Sequence, residues 1–332
     1  MTTGREPAEI RDAFELVILG EQPQLTSKEV ARAAGVSDEV AGRLWRALGF
    51  PDAGGEKAFT KGDTRALARI GLAVEKGRLD LDTIVRMTRA VGQLISRLAD
   101  WEVATFTAAM EDGDRSPEGS AERLAASLQL VEEIGPHFEE LLVYAWRRHL
   151  AAAVGRIELP GADDDVSLAT VGFADLVSFT ALTNELDDDQ IGDLVEVFEG
   201  RCQDVVADHR GRVIKTLGDS VLFVADSPAE GIDMALDIIA VIGGDSRLPD
   251  VRLGLATGPV VLRLGDVYGP AVNLASRLTG VARRNRVIID DRTAGLLPTD
   301  EFETRVLPAR PLRGFGDVEP VSVRRTRSRH DF

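Results

Sequence analysis

Two aspartates in the second half of the chain stand where their carboxylates could share one site. Asp175 ends the strand-like run 168–175, and Asp219 lies in a Gly-Asp turn between the strand-like runs 211–217 and 220–224. A central strand beside a central hairpin can bring such residues together. Paired carboxylate oxygens are hard ligands that suit Mg²⁺ or Mn²⁺ bound with a polyphosphate. Taken singly, each aspartate has a simpler interpretation, as a helix cap or a turn residue.

A second pair of polar residues follows at helical spacing. Asn273 and Arg277 are four residues apart in a segment that begins with Pro270, so they share one helix face. An amide and a guanidinium on one face can hold a ribose oxygen and a phosphate. For either residue alone, an exposed helix with a surface side chain is the simpler interpretation.

The elements that must position these residues follow a recognisable order. Alternation and turn residues predict strands over 168–175, 211–217, 220–224, 251–256, 260–263 and 286–289. Helical periodicity predicts helices over 188–209, 229–242 and 270–281. The order strand-helix-strand-strand-helix-strand is ferredoxin-like, an α+β fold with its helices on one face of the sheet.

Together these segments resemble the catalytic domain of the class III nucleotidyl cyclases, over roughly residues 166–325. The matching motifs are Phe-Ala-Asp-Leu-Val-Ser-Phe-Thr at 173–180, Lys-Thr-Leu-Gly-Asp at 215–219, the segment 251–260, Val-Asn-Leu-Ala-Ser-Arg at 272–277 and Leu-Arg-Gly-Phe-Gly at 312–316. Two positions depart from the family pattern. Ser178 stands where the family commonly has glycine, and Tyr268 stands where tryptophan is frequent.

The resemblance implies a role for each matching residue. The implied ligands of two divalent metal ions, Mg²⁺ or Mn²⁺, are Asp175, Asp219 and the Leu176 carbonyl. Those assigned to adenine are Lys215 and Asp266, while Asn273 orients the ribose and Arg277 stabilises charge at the α-phosphate. Those assigned to the phosphates are Arg252, Arg313 and the backbone of Val177, Ser178, Phe179 and Thr180.

The implied reaction is the conversion of ATP to 3′,5′-cyclic AMP and pyrophosphate. Such phosphoryl transfer depends on positioning and charge neutralisation. Lys215 can donate to adenine N1 and Asp266 can accept from the 6-amino group, whereas guanine presents the opposite pattern, so GTP should be rejected. Because one chain carries every role, the resemblance is to homodimeric members, whose two equivalent sites draw residues from both subunits.

The first half of the chain reads differently. Residues 1–154 are predicted to form an all-helical regulatory domain, residues 155–167 a linker, and residues 168–332 the catalytic domain. The segment 25–50 resembles a MerR-type helix-turn-helix, and residues 26–97 carry 13 basic against 9 acidic side chains. Arg43 and Arg46 are therefore candidate DNA contacts. The favoured interpretation is that this fold is kept as a helical packing unit.

The two-domain layout also resembles actinobacterial cyclases whose helical domain is linked to autoinhibition and to pH or fatty-acid responses. The helical stretch 121–154, with a kink expected at Pro136, is the candidate coupling element. His137 and His149 are candidate pH-sensing groups, and the candidate signals are a small molecule, a lipid or protons.

Composition sets outer bounds on function. The 332 residues carry a formal net charge of −16, so nucleic acid is not an expected partner of the whole chain. No apolar run could span a bilayer, and one cysteine permits no internal disulfide, so a cytoplasmic location is expected. The alternative function is a MerR-like DNA-binding regulator with an inactive, nucleotide-binding cyclase domain. A diguanylate-type cyclase would need a Gly-Gly-Asp-Glu-Phe-type signature, which this sequence lacks.

Overall fold

The chain divides into two compact units, Met1–Pro160 and Gly161–Phe332. The computed structural model describes residues 7–51, 53–77, 79–113, 120–155, 166–263 and 265–326. Most of the predicted linker lies outside the described residues, but Val166 and Ser167 already belong to the first strand of the second unit. No helix among these residues is both long and apolar enough to cross a bilayer.

The first unit consists of helices in the residues described. Their bounds are α1 Pro7–Leu19, α2 Ser27–Ala34, α3 Asp38–Leu48, α4 Lys61–Glu75, α5 Leu81–Gly113 and α6 Ser120–Val154. Gly35 adopts the left-handed conformation that ends α2, and the Ser37 hydroxyl caps α3. Leu44, Trp45 and Leu67 lie in the core that these short helices share. The turn predicted at 34–37 is therefore present, and it connects helix α2 to helix α3.

Helix α6 contains Pro136. A kink or a break was expected there, and there is no break: the helix is continuous over Ser120–Val154 with Pro136 inside it. Proline removes one intrahelical hydrogen bond, to the carbonyl of Glu132. Because Glu132 and Pro136 are both exposed, water can satisfy that carbonyl group. The same helix exposes large apolar side chains, including 62% of Tyr144 and 60% of Trp146.

The second unit is built on a mixed β-sheet. Its strands are β1 Val166–Leu176, β2 Arg212–Leu217, β3 Ser220–Ala225, β4 Val251–Arg263, β5 Asp266–Tyr268, β6 Val287–Ile289, β7 Phe302–Val306, β8 Arg310–Leu312, β9 Gly316–Val318 and β10 Val321–Arg325. Its helices are α7 Phe179–Leu182, α8 Asp188–Asp208, α9 Pro228–Gly244, α10 Pro270–Val281 and α11 Asp291–Gly295.

The strand order is β2-β3-β1-β4-β6-β10-β7, with β5 paired to β4 and a separate β8-β9 hairpin. The first four strands are antiparallel neighbours in the order expected of the ferredoxin-like pattern. Helices α8 and α9 pack on one face, where Phe198, Cys202 and Ile232 are buried. The two helices of the strand-helix-strand-strand-helix-strand unit therefore share one face, as expected. Helix α10, which follows that unit, packs on the opposite face, where Ala275 and Leu278 are buried.

Strand β4 also differs from the prediction. Two strands, 251–256 and 260–263, were expected, with a break at Thr257-Gly258-Pro259. One strand runs from Val251 to Arg263 instead, and it pairs with the whole length of β1. Pro259 lies where β4 has a partner strand on one side only, because β6 pairs with Leu253–Leu255 and β5 pairs with Val261–Arg263. Such edge-like positions accommodate proline, which has no N–H to donate. The long strand then turns back as β5, which the sequence pattern did not reveal.

Candidate active site

Asp175 lies in a row of three residues across the central strands β3, β1 and β4, at one end of the sheet. It is paired in register with Ser220 of β3 on one side and with Arg252 of β4 on the other. The Ser220 hydroxyl donates to Asp175 Oδ1, and Arg252 Nε and Nη2 donate to Oδ2 at 2.7 and 2.6 Å. Only 14% of the Asp175 side chain is exposed. Both carboxylate oxygens are therefore held by neighbouring strands.

Asp219 reaches the same end of the sheet through the β2-β3 turn. Gly218 takes a positive φ of 65° there, and the Leu176 N–H donates to the Asp219 carbonyl oxygen at 3.0 Å. Burial, followed by the nearby carboxylate of Asp175, raises the pKa of Asp219 above its usual range. Arg252 opposes this shift. The turn therefore brings the two predicted metal-ligating aspartates into electrostatic contact.

This donor set fits a divalent cation. Burial and the charge of Asp175 both disfavour the ionised form of Asp219, and a cation bound between the two carboxylates would offset that cost. Their oxygens are the hard ligands that Mg²⁺ and Mn²⁺ prefer. Among the described residues, no group of three or more His, Cys, Asp or Glu side chains could hold a metal ion. Further ligands would therefore come from a backbone carbonyl such as that of Leu176, from water or from the substrate.

The two predicted base-reading residues contact each other. Lys215 Nζ lies 2.6 Å from Asp266 Oδ2, so an ion pair joins β2 to β5. Burial alone would raise the pKa of Asp266, but the hydrogen bond from Lys215 and those from Val267 and Tyr268 lower it below its usual range. The acceptor is thus held as a carboxylate beside an ammonium donor.

A β-bulge accounts for the direction of Lys215. The β2-β3 register shifts between Val213 and Lys215, so Ile214 is an extra residue. In a regular strand, Lys215 would lie two residues after Val213 and would share its face, the face covered by α8 and α9. With the extra residue, Lys215 is paired with Leu222, whose side chain is in the core on the α10 face. Nothing in the sequence pattern marked this bulge.

Asn273 and Arg277 lie on α10 as the spacing predicted. Ala271, Ala275 and Leu278 form the buried side of the helix, and Asn273 and Arg277 are exposed. Within the described residues, neither side chain has a hydrogen-bond or ion-pair partner. No hydrogen bond or ion pair among the described residues therefore joins this pair to Asp175 or Asp219.

The predicted phosphate-binding backbone is only partly free. The Val177 N–H donates to the Asp250 carbonyl oxygen at 2.7 Å, whereas no described residue accepts from the N–H groups of Ser178, Phe179 and Thr180. Ser178 has a left-handed backbone, with φ 62° and ψ 24°. This is the conformation that glycine adopts most easily, which explains the family preference for glycine stated above.

Arg313 lies in the tight turn of the β8-β9 hairpin. Leu312 and Phe315 flank it and pack into the core on the α10 face. Its side chain is exposed. The β8-β9 hairpin that carries Arg313 therefore packs on the α10 face of the sheet, the face that also carries Asp175 and Lys215.

Ser220 is the residue that sequence reasoning missed. Its hydroxyl contacts Asp175 directly, yet only its position immediately after Asp219 could have drawn attention to it. Arg252 was assigned to the substrate phosphates, and in this structure it contacts Asp175. The register between neighbouring strands decides which residues face Asp175. Register cannot be predicted from the sequence of one strand alone.

Comparison with known proteins identifies the family. Residues 163–323 match the family model described as the adenylate and guanylate cyclase catalytic domain. The chain is 38% identical to an adenylate cyclase of Streptomyces coelicolor over 96% of its own length and 90% of that protein. It is 42% identical to an adenylate cyclase of Streptomyces griseus over 86% of its length and 71% of the relative. The chain belongs to the actinobacterial class III adenylyl cyclases.

Membership confirms the resemblance drawn from the motifs. This cyclase is an enzyme that makes cyclic AMP, and the interpretation of its second half as an inactive nucleotide-binding domain is not supported. A further relative is named the pH-sensitive adenylate cyclase MT1302 of Mycobacterium tuberculosis, at 32% identity over 92% of this chain and 79% of that protein.

Proposed function

We propose that this cyclase converts ATP to 3′,5′-cyclic AMP and pyrophosphate with two divalent cations, Mg²⁺ or Mn²⁺, held by Asp175 and Asp219. The observation that carries the proposal is the pair of carboxylates at one end of the sheet, with the pKa of Asp219 raised beside Asp175. When bound, such cations activate the ribose 3′-hydroxyl and neutralise the triphosphate. The Leu176 carbonyl completes the protein ligands in this proposal.

The remaining residues position the nucleotide. Lys215 donates to adenine N1 and Asp266 accepts from the 6-amino group, so the ion pair between them opens to admit the base. Asn273 holds the ribose, and Arg277 presents two parallel donors where negative charge builds on the α-phosphate. The other triphosphate contacts are Arg252, Arg313 and the backbone N–H groups of Ser178, Phe179 and Thr180, with Val177 adjoining them.

The test is product formation by the full chain from ATP with Mn²⁺ or Mg²⁺. Asp175→Asn and Asp219→Asn should each lower kcat by at least about 100-fold, the scale of losing a preorganised charge-stabilising group. Asp208→Asn, an exposed substitution on α8, is the matched control and should retain the wild-type rate. Comparable turnover of GTP, or full activity of Asp175→Asn, would contradict the proposal.

We infer further that the active unit is a homodimer with composite sites. Exposed Asn273 and Arg277 have no partner among the described residues, which supports completion of the site by a second chain. In a two-fold pair, Asp175 and Asp219 of one subunit would then face Asn273 and Arg277 of the other. Each dimer would hold two equivalent sites.

Complementation tests that arrangement. Asp175→Ala and Asn273→Ala protein should each be inactive alone, because each mutation damages both sites. Random mixing should restore about a quarter of the wild-type sites, since half the dimers are mixed and one of their two sites is intact. Activity is measured before and after subunit exchange. If activity does not recover in a sample shown to contain mixed dimers, the residues of one site all come from one chain and the composite-site proposal is wrong.

The first unit is proposed to regulate the second, in response to a small molecule, a lipid or protons. The relative named as pH-sensitive supports protons as one candidate. DNA binding by the MerR-like segment gains no support from the described geometry. Arg43, one of its two candidate DNA contacts, forms an ion pair with Asp82 of α5 at 2.5 Å, while Arg46 is exposed.

A further inference from the structure

An arginine-rich cavity lies apart from the candidate active site. It has a volume of about 640 Å³, within the range of small-molecule sites. Its charged lining residues are Arg283, Arg286, Glu303, Arg305, Arg310 and Arg324. None of the residues proposed above to contact metal, base, ribose or phosphate lines it. The cavity is therefore a separate feature of the catalytic unit.

The fold leaves this part of the sheet uncovered. Helix α10 packs chiefly on β4, β1 and β6, and it ends at Val281, on the cavity wall. Ile288, Ser322 and Arg305 form a cross-strand row on β6, β10 and β7. Ile288 belongs to the core on the α10 face, so this row continues the same face beyond the end of the helix. The sheet is the floor of the cavity.

The loop after α10 is held in place. The Asn285 side chain donates to Asp250 Oδ1 at 2.6 Å and accepts from the Val251 N–H at 3.3 Å. This anchor lies between Arg283 and Arg286, so both guanidinium groups project from a fixed backbone. Preorganised donors lose less entropy when they bind a ligand.

The charge of the cavity is opposite to that of the whole chain. Five arginines and one glutamate line it, whereas the chain carries a formal net charge of −16. Glu303 is already paired with Arg324 across β7 and β10. No described carboxylate forms an ion pair with Arg283, Arg286, Arg305 or Arg310. Clustered cations that repel one another are stabilised when an anion binds.

We propose that this cavity binds a small phosphate-bearing ligand. Guanidinium groups present paired donors that match the oxygens of a phosphate, and several of them together suit a polyvalent anion. Val281, Ile288 and Leu307 supply apolar walls that accommodate a short organic body. A free phosphorylated metabolite and a phospholipid headgroup share this chemistry.

The probe is inorganic pyrophosphate, titrated into the full chain in metal-free buffer by calorimetry. Arg283→Gln/Arg305→Gln should weaken binding at least tenfold. The control Arg210→Gln/Arg292→Gln removes the same charge at exposed positions outside the cavity and should bind within about twofold of wild type. Arg277→Ala should also retain binding, because that residue belongs to the catalytic site. Wild-type affinity in the cavity variant, or loss in Arg277→Ala equal to that in the cavity variant, would overturn the proposal.

Two further arms complete the experiment. If the first cavity variant does not fold, Arg286→Gln/Arg310→Gln tests the same prediction with other residues. Vesicles containing phosphatidylglycerol replace pyrophosphate in the second arm. Pyrophosphate binding without vesicle binding assigns a soluble ligand, and vesicle binding that the cavity variant abolishes assigns a headgroup. Failure of both probes to bind the wild-type chain would overturn the proposal, whether or not the cyclase reaction is confirmed.

Discussion

Asp175 shows how much of a site depends on contacts across strands. Its carboxylate is held by a hydroxyl from β3 and a guanidinium from β4, each one strand away. A carboxylate so fixed needs no further loss of side-chain freedom when a cation binds. We therefore expect Ser220 to act as a positioning residue for the proposed metal site, and its contribution should appear in metal affinity before it appears in the chemical step.

Ser220→Ala should raise the apparent KM for Mn²⁺ about fivefold, the scale of one net hydrogen bond of about 1 kcal/mol. The kcat at saturating Mn²⁺ should change less, because no group that contacts substrate is removed. Mn²⁺ titrations of activity, with direct measurement of bound Mn²⁺ by electron paramagnetic resonance, check this. Ser246→Ala is the control, since Ser246 is exposed and no hydrogen bond joins it to Asp175. An unchanged metal affinity with a reduced kcat would refute the positioning role.

The same residues show which features of the site could be predicted from the sequence and which could not. The places of Asp175 at the end of a strand and of Asp219 in a turn were predictable, because a strand end and a Gly-Asp turn are local patterns. The contact of Arg252 with Asp175 and the role of Ser220 were not, because they depend on which residues face each other across strands. Lys215 adds a bulge to that problem, since one extra residue decides the face on which its side chain lies.

At the scale of elements, α10 is placed by close contact with the sheet. A Cβ added at Gly254 of β4 would lie 2.2 Å from the Thr279 backbone nitrogen and 2.6 Å from the Ala275 carbonyl oxygen. Only glycine lets the helix approach so closely. The position of Asn273 and Arg277 therefore depends on a residue that contacts neither. The sequence predicted α10 to the residue, but it could not indicate the face on which the helix packs.

Gly254→Ala should lower the free energy of unfolding by about 2 kcal/mol, because backbone must move to admit the new methyl group. The cyclase rate should fall as α10 shifts. Gly280→Ala is the matched control on the same helix, with no atom within 4 Å of the added Cβ, and should stabilise by about 0.5–1 kcal/mol. Denaturant unfolding and initial rates measure both. Equal stability of the two variants would contradict close packing of α10.

At the scale of the molecule, each unit has a core of its own. The clusters around Phe198 and Leu278 contain residues of the second unit, and the cluster around Trp45 contains residues of the first. The second unit should therefore fold without the first, and any regulatory effect must act on an already folded catalytic domain. The sequence indicated this division through the change from helical to strand-like patterns near residue 167.

Removal of residues 1–155 should change the basal rate about fivefold or more, the ordinary scale of coupling between sites. A higher rate would mean that the first unit restrains catalysis. Loss of activity with conversion to monomer, measured by light scattering, would mean that the first unit holds the active dimer together. Rates are compared per milligram of folded protein, across pH. A rate equal to that of the full chain at every pH would count against regulation.

Cys202 has a practical consequence for testing all of these ideas. It is the one cysteine of the chain and is fully buried in α8, and burial, with a smaller effect of Glu199, raises the pKa of its thiol to about 12. A protonated, enclosed thiol reacts poorly with maleimides. A cysteine introduced at an exposed position such as Tyr144 would thus accept a fluorophore selectively in the otherwise native sequence, without a cysteine-free background.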